Sequence, residues 1–478
     1  MRPLQKHAIR PLAMPARATR RDWVGLAVIA LPCALYAMDL TVLDLALPAI
    51  SADLRPSNIE LLWIVDIYGF LVAGSLITMG TLGDRVGHRR VLLIGGAAFG
   101  VASVVAAFAT SPGILIAARA VLGIGGATFA PSTLSLIRNM FEDPDERSIA
   151  ISVWATSYSA GGAAGPSLGG FLLAHFWWGS VFLAGIPLLL ALLVVGPGVL
   201  PEFRDHRAGR IDVPSAALSL AATLPIVLGL KTIAQSGAGP LSLVAILIGA
   251  SLGVAFVRRQ RALREPLIDF GLLRVRPLVA PLAIYALGTF VAFGSFLYVT
   301  QYMQLVLGLD PWRAGLWTAP FAVAFLVGSL VSPHLARRAS RADVMAAGFA
   351  LAAIGFGLLT RVATIPSLWL LVTGFVVYSL GLAPMFTLIN DMIVAAAPPQ
   401  RAGTISAISE TGSEFGGALG IAVLGSLGTA AYGSAFAAES LPRTLPLVAA
   451  VCAVLVIVMG VMAMTSLRHV RVQHGASS

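Results

Sequence analysis

Gly80-Thr-Leu-Gly-Asp-Arg-Val-Gly-His-Arg-Arg90 is a short basic stretch between two apolar runs, at about 61–82 and 91–109. Each run has close to the ~20 residues that a helix needs to cross the hydrocarbon core of a bilayer. Reading outward in both directions, the same alternation of long apolar block and short polar connection recurs along the whole chain. Of 478 residues, 58% are hydrophobic and 11% charged, whereas soluble domains carry about 25% charged residues. Too little polar surface is left to cover two or three soluble domains. The 49 glycines and 28 prolines fall largely inside the apolar blocks, a habit of membrane helices.

The pattern predicts an all-α polytopic membrane protein with fourteen spans. They fall at about 23–49, 61–82, 91–109, 113–138, 148–174, 177–199, 213–233, 241–257, 278–303, 313–335, 343–363, 366–396, 404–431 and 443–467. An even count puts both termini on one side, and the positive-inside rule tests the choice. With the N-terminus inside, the inside segments hold 26 of the 32 Lys and Arg residues, from Arg2 and Arg21 through Arg85, Arg89 and Arg90 to Arg471. Outer segments keep Arg55, Lys231, Arg313, Arg361 and Arg443, while Arg119 lies within a span. One span missed or invented would scramble that partition. The expected location is therefore a bacterial plasma membrane with cytoplasmic termini.

The expected organisation is a tail (1–22), a six-helix bundle (23–199), a linker with an inserted two-span hairpin (200–277), a second six-helix bundle (278–467) and a tail (468–478). Faint repetition supports paired bundles: Gly328-Ser-Leu-Val-Ser-Pro-His-Leu-Ala-Arg-Arg338 stands in the second where 80–90 stands in the first. Secondary transporters built this way bind substrate between their halves near mid-membrane. The net charge of +10 does not indicate nucleic acid, because the basic residues are scattered among the connections. The seven His and two Cys residues form no nucleophile or metal spacing, and no Gly-x4-Gly-Lys-Ser/Thr loop occurs. An enzyme, a metal protein and an ATP-driven pump are thus disfavoured.

Gly80-x-Leu-x-Asp84-Arg85-x-Gly87-x-Arg89-Arg90 resembles the loop signature of the major facilitator superfamily. Ala117-Ala-Arg119-Ala-Val-Leu-Gly123-Ile-Gly125 is similar to the family's Arg-bearing motif in span 4. Gly161-Gly-Ala-Ala-Gly165-Pro166-Ser-Leu-Gly169-Gly170 is similar to the span-5 motif of its antiporters. Span 1, Leu35-Tyr-Ala-Met-Asp39-Leu-Thr41-Val42-Leu-Asp44-Leu-Ala46-Leu47-Pro48, resembles that of the fourteen-span drug:proton antiporters of the QacA and LfrA type. So do Leu62-Trp63-Ile-Val-Asp66-Ile-Tyr68 and Ser409-Glu410-Thr-Gly-Ser-Glu414-Phe-Gly416. The family usually has Asn where this chain has Asp44, and span 10 lacks the intramembrane acid that some relatives use for divalent cations. The resemblance implies a major facilitator fold and proton-driven export of hydrophobic, mainly cationic drugs, antiseptics and dyes. It implies no cofactor beyond the proton gradient, and partners limited to such molecules, protons and lipids, with the monomer as the working unit. A dedicated exporter of one natural product, and more remotely a membrane sensor, are the competing readings.

Ionisable groups at the centre of a span cost at least about 2.5–3.5 kcal/mol, so those present are candidates for function. Asp39 is the expected proton-coupling group, with Arg119 at matching depth as its partner and a static ion pair as the bland reading. Asp66 reads as a proton relay or a cation attractor, with solvation in a cavity as the alternative. Asp44 lies about 140° around the helix from Asp39 and nearer the surface, where solvation is expected. Glu410 and Glu414 share a face at i,i+4, and Glu414 falls at mid-depth as the candidate cation site. Asp391 is expected in a polar groove. Phe296, Tyr298 and Tyr302 are candidate cation–π contacts, and Trp63, Trp177, Trp178, Trp312 and Trp369 candidate interfacial anchors. Gly80, Asp84, Arg85, Gly87 and Arg89 are expected to latch one conformation, with Gly161, Gly165, Pro166 and Gly169 permitting close helix approach.

Overall fold

The computed structural model describes residues 17–202, 212–263, 276–365, 367–395, 402–433 and 437–467. Among these, twelve segments are long and apolar enough to cross a bilayer. The 32-residue α6 (Pro144–His175) and 24-residue α9 (Val213–Ser236) stand where the two remaining spans are expected. The first bundle consists of α1 (Arg20–Leu54), α2 (Asn58–Val86), α3 (His88–Ala107), α4 (Pro112–Gly126), α5 (Phe129–Met140), α6, α7 (Ser180–Leu183) and α8 (Ile186–Val199). The second consists of α11 (Arg276–Leu305), α12 (Pro311–Leu335), α13 (Arg341–Leu359), α14 (Leu368–Ala395), α15 (Ala402–Tyr432) and α16 (Leu441–Met462). Between them stands the hairpin of α9 and α10 (Pro240–Ala262). Spans 4 and 6 are each broken into two helices, at Ala127–Thr128 and Ala184–Gly185, which the apolar runs did not reveal.

Helix ends follow local chemistry. Thr19 with Asp22 and Ser57 with Glu60 form capping boxes that start α1 and α2, satisfying N–H groups that have no intrahelical acceptor. The 80–90 stretch, expected as a loop, is helical as far as Val86 because nothing in it interrupts the i→i−4 bonding. The reversal is made at Gly87 alone, whose φ of 114° is open to glycine and strained for other residues.

Bundle α1–α8 is held by α1 against α6 and by α2 against α4; α11–α16 is held by α11 against α15 and by α13 against α14. The bundles meet through α2 and α15, α6 and α12, and α1 and α11. Gly170 and Gly315 interlock α6 with α12: a Cβ on either would lie 2.3 Å from a carbonyl oxygen of the other helix. That contact lies at the end of the molecule away from Gly87. The hairpin leans on the seam, since α9 packs against both α2 and α15, with Val227 among Phe70, Ala418 and Ala422. At the base of the hairpin, Arg259 donates to Asp212 at 2.8 Å and Gln260 to Ser215 at 2.6 Å. Burial opposes the Asp212 charge, yet hydrogen bonds from Ser215 and Arg259 outweigh it and hold the carboxyl below its ordinary value.

Candidate functional site

Arg119 is buried at 2% exposure, and its guanidinium is fully engaged. It donates to Asp39 at 2.8 Å, to the Ile64 carbonyl at 3.1 Å and to the Val65 carbonyl at 3.4 Å. Its remaining face lies 4.5 Å from the Tyr68 ring centroid. A charge taken out of water is tolerable only with such a complete set of partners. α4 can bring Arg119 this close because Gly123 faces α2, where a Cβ would lie 2.6 Å from the Tyr68 carbonyl oxygen.

Glu414 lies across from this pair, on the second bundle. Tyr36 of α1 donates to it at 2.6 Å and Tyr158 of α6 at 3.5 Å. Tyr36 also lies beside Tyr68 and Tyr158, at centroid distances of 6.0 and 5.6 Å, and Trp154 lies 6.3 Å from Tyr158. The result is an aromatic wall from one bundle bonded to a carboxylate from the other. Glu410 sits one turn earlier on α15, half-buried. A cavity of about 30 Å³, room for a water molecule, opens between the bundles and is lined by Asp44, Asp66, Arg119, Phe293 and Glu414.

Two prolines shape the surroundings. A proline lacks an N–H, so the carbonyl four residues before it loses its helical partner. Pro166 releases the Gly162 carbonyl, which accepts from Thr41 of α1 at 3.2 Å. Pro48 releases the Asp44 carbonyl, which accepts from Gln301 of α11, in the other bundle. The four-spaced Gly161, Gly165 and Gly169 all face α1, where added Cβ atoms would lie 2.0, 2.2 and 2.5 Å from Ala34, Thr41 and Val42.

At the 80–90 turn, Asp84 pairs with buried His88 at 2.8 Å. Arg89 and Arg90 form ion pairs with Glu202 beyond α8, and Arg89 also donates to the Leu200 carbonyl. A Cβ on Gly87 would lie 2.0 Å from a Glu202 carboxylate oxygen. Gly80 packs near Pro131, while Arg85 is exposed.

Several expected residues lie elsewhere. Tyr298 donates to the Leu424 carbonyl and Tyr302 to that of Val362, both fully buried inside the second bundle. Phe296 packs on Phe321 and Phe375 there. Asp44, expected in solvent, is 5% exposed and lines the cavity. Trp178, expected as an interfacial anchor, is buried and donates to Asp53 at 2.6 Å, while Trp63 packs by the α9 seam. Trp177, Trp312 and Trp369 are exposed. The Asp391 side chain lies outside the described residues. Sequence reasoning missed Tyr36, Tyr68 and Tyr158. The available signal was that all three lie on spans with ionisable residues or functional motifs.

Two helical bundles that close around a buried polar site have the architecture of a secondary transporter. A profile of the Major Facilitator Superfamily matches residues 29–421. The chain belongs to that superfamily. It is similar to the multidrug efflux pump LfrA of Mycolicibacterium smegmatis, 45% identical over 87% of this chain and 83% of LfrA. It is also similar to the methyl viologen resistance protein SmvA of Salmonella typhimurium, 37% identical over 85% of this chain and 82% of SmvA. Among solved structures, a bacterial homologue of the lysosomal transporter Spinster, in an inward-facing and unoccupied conformation, matches with TM-score 0.65. It is 17% identical and covers 96% of this chain and all of its own, a likeness of fold.

Proposed function

We propose that this protein is a proton-coupled antiporter that exports hydrophobic, mainly cationic drugs, antiseptics and dyes across a bacterial plasma membrane. The observation that carries this reading is Glu414, a mid-membrane carboxylate held by Tyr36 and Tyr158 of the opposite bundle. A carboxylate there is stable with a proton or against a positive charge, and unstable with neither. A lipophilic cation entering between the bundles displaces the phenol contacts, lies on the rings of Tyr36, Tyr68 and Tyr158, and takes the place of the proton. The aromatic role thus passes to these tyrosines from Phe296, Tyr298 and Tyr302. Asp39 carries the coupled proton, with Arg119 as the counter-charge that competes for it, and Asp66 conducts protons or attracts the cation. The names of LfrA and SmvA support a drug substrate.

Both termini lie in the cytoplasm on this reading, supported by the basic connections at the Gly87 end. The closed α6–α12 end then faces outward. A cavity of about 30 Å³ holds no drug, so cargo enters only as the bundles part around Glu414. The Asp84–His88 and Arg89–Glu202 pairs latch this conformation, and the monomer is the working unit. Ethidium efflux in inside-out vesicles under an imposed pH gradient tests the mechanism, with Asp39→Asn and Glu414→Gln alongside. Efflux should stop when the gradient is collapsed; transport that persists refutes antiport, and unaltered coupling in Asp39→Asn removes that proton site.

A further inference from the structure

Asp44 has no place in that mechanism, yet its setting is unusual. The residue is only 5% exposed and lines the cavity together with Asp66, Arg119 and Glu414. Its carboxylate accepts no hydrogen bond from any described residue. Its backbone carbonyl is tied across the seam, because Pro48 leaves it without a helical donor and Gln301 of the opposite bundle donates to it. The carboxylate thus lies out of water and lines the cavity. Such a group must carry a proton or meet a positive charge.

Among the described residues, no basic group forms an ion pair with it, and Arg119 reaches it only across the cavity. Arg119 is the basic residue lining the cavity, and its guanidinium is committed to Asp39, two carbonyls and the Tyr68 ring. α12, between Pro311 and Leu335, contains no acid. The cavity presents carboxylates on two opposed walls, Glu414 from the second bundle and Asp44 with Asp66 from the first.

We infer that Asp44 is a specificity-determining residue that admits cargo with two separated positive charges, one placed against Glu414 and the other against Asp44. The inference rests on the reading of Glu414 as the primary cation site. With a singly charged cargo, Asp44 keeps its proton. With a doubly charged one, it releases that proton to the inner solution and the second charge takes its place, so charge in the cavity stays balanced. Asn at this position offers neither state.

The test is efflux by the full-length protein in proteoliposomes, using methyl viologen with two charges and ethidium with one, for wild type, Asp44→Asn, Asp44→Glu and Glu414→Gln. Recovery of folded protein is checked by size-exclusion chromatography in detergent. In Asp44→Asn the ratio of methyl viologen to ethidium efflux should fall about tenfold or more, the scale of one lost charge-assisted contact. Asp44→Glu should restore the ratio. A ratio unchanged by Asp44→Asn, whether both rates fall or neither does, overturns the inference, as does a wild type that moves ethidium but not methyl viologen. Glu414→Gln should abolish both activities. If it leaves ethidium efflux intact, the primary site itself is misassigned, a failure distinct from that of Asp44.

Discussion

The two bundles clamp their first and fifth helices in the same way and then fill their centres differently. In the first, Gly161, Gly165 and Gly169 press α6 onto α1, and Thr41 donates to the Gly162 carbonyl. In the second, Gly416 and Gly420 press α15 onto α11, with Cβ positions 2.2 and 2.1 Å from carbonyl oxygens, and Thr289 donates to the Ser413 carbonyl at 2.8 Å. The fourth span of the first bundle then brings Arg119 to Asp39, whereas that of the second, α14, brings Phe375 and Tyr378. Those rings stack on Phe321 at 4.2 Å and Phe356 at 4.4 Å. One backbone arrangement thus serves once to hold a buried charge and once to build a stiff aromatic block. The charged bundle holds the ion pair and the aromatic wall, and the aromatic bundle presents Glu414 to them.

The contrast breaks most severely at Arg119. Arg119→Ala leaves Asp39 buried and uncompensated, a loss of about 3–5 kcal/mol. Thermal unfolding in detergent should show a large drop, or no folded protein at all. The shared clamp comes next. Gly161→Val forces a side chain to within 2.0 Å of the Ala34 carbonyl oxygen and should cost about 1–3 kcal/mol by overpacking, with transport lost. Gly420→Val should do the same in the second bundle, and a mild effect there would show that the two clamps are not equivalent.

The tyrosines sharpen the comparison. Tyr298→Phe should cost about 1 kcal/mol of stability, the worth of one hydrogen bond to a carbonyl, with the substrate KM unchanged. Tyr36→Phe removes the bond to Glu414, so its main effect should fall on ethidium KM. The reverse pattern would move the cargo site into the second bundle. The smallest effect is expected at the hairpin, outside both bundles. Because Asp212 is held below its ordinary value, its stabilising bonds are present above about pH 4 and are lost as pH falls through the lowered value. Hydrogen exchange at the start of α9 should rise over that acid range, and Asp212→Asn should abolish the dependence.

Composition and motif order carried much of this protein. Long apolar blocks dictate spanning helices, because only intrahelical bonding satisfies backbone groups in lipid. The glycine and arginine motifs likewise pointed to close helix approach and a buried ion pair from residue types alone. Sequence could not say which aromatic residues meet the acids. Tyr298 and Tyr36 look alike in an apolar span, and only the rotation of each helix sends one hydroxyl to a carbonyl and the other to Glu414. The fate of Asp44 was hidden for the same reason. Spacing along one helix predicts depth, whereas burial depends on what the opposing helices bring, here Gln301 on its carbonyl and a cavity shared with Glu414. The chain by itself determined that the protein spans a membrane and which rare charges it carries there. The tertiary structure alone decided which of those charges face one another, because side chains distant in sequence meet only where helices pack.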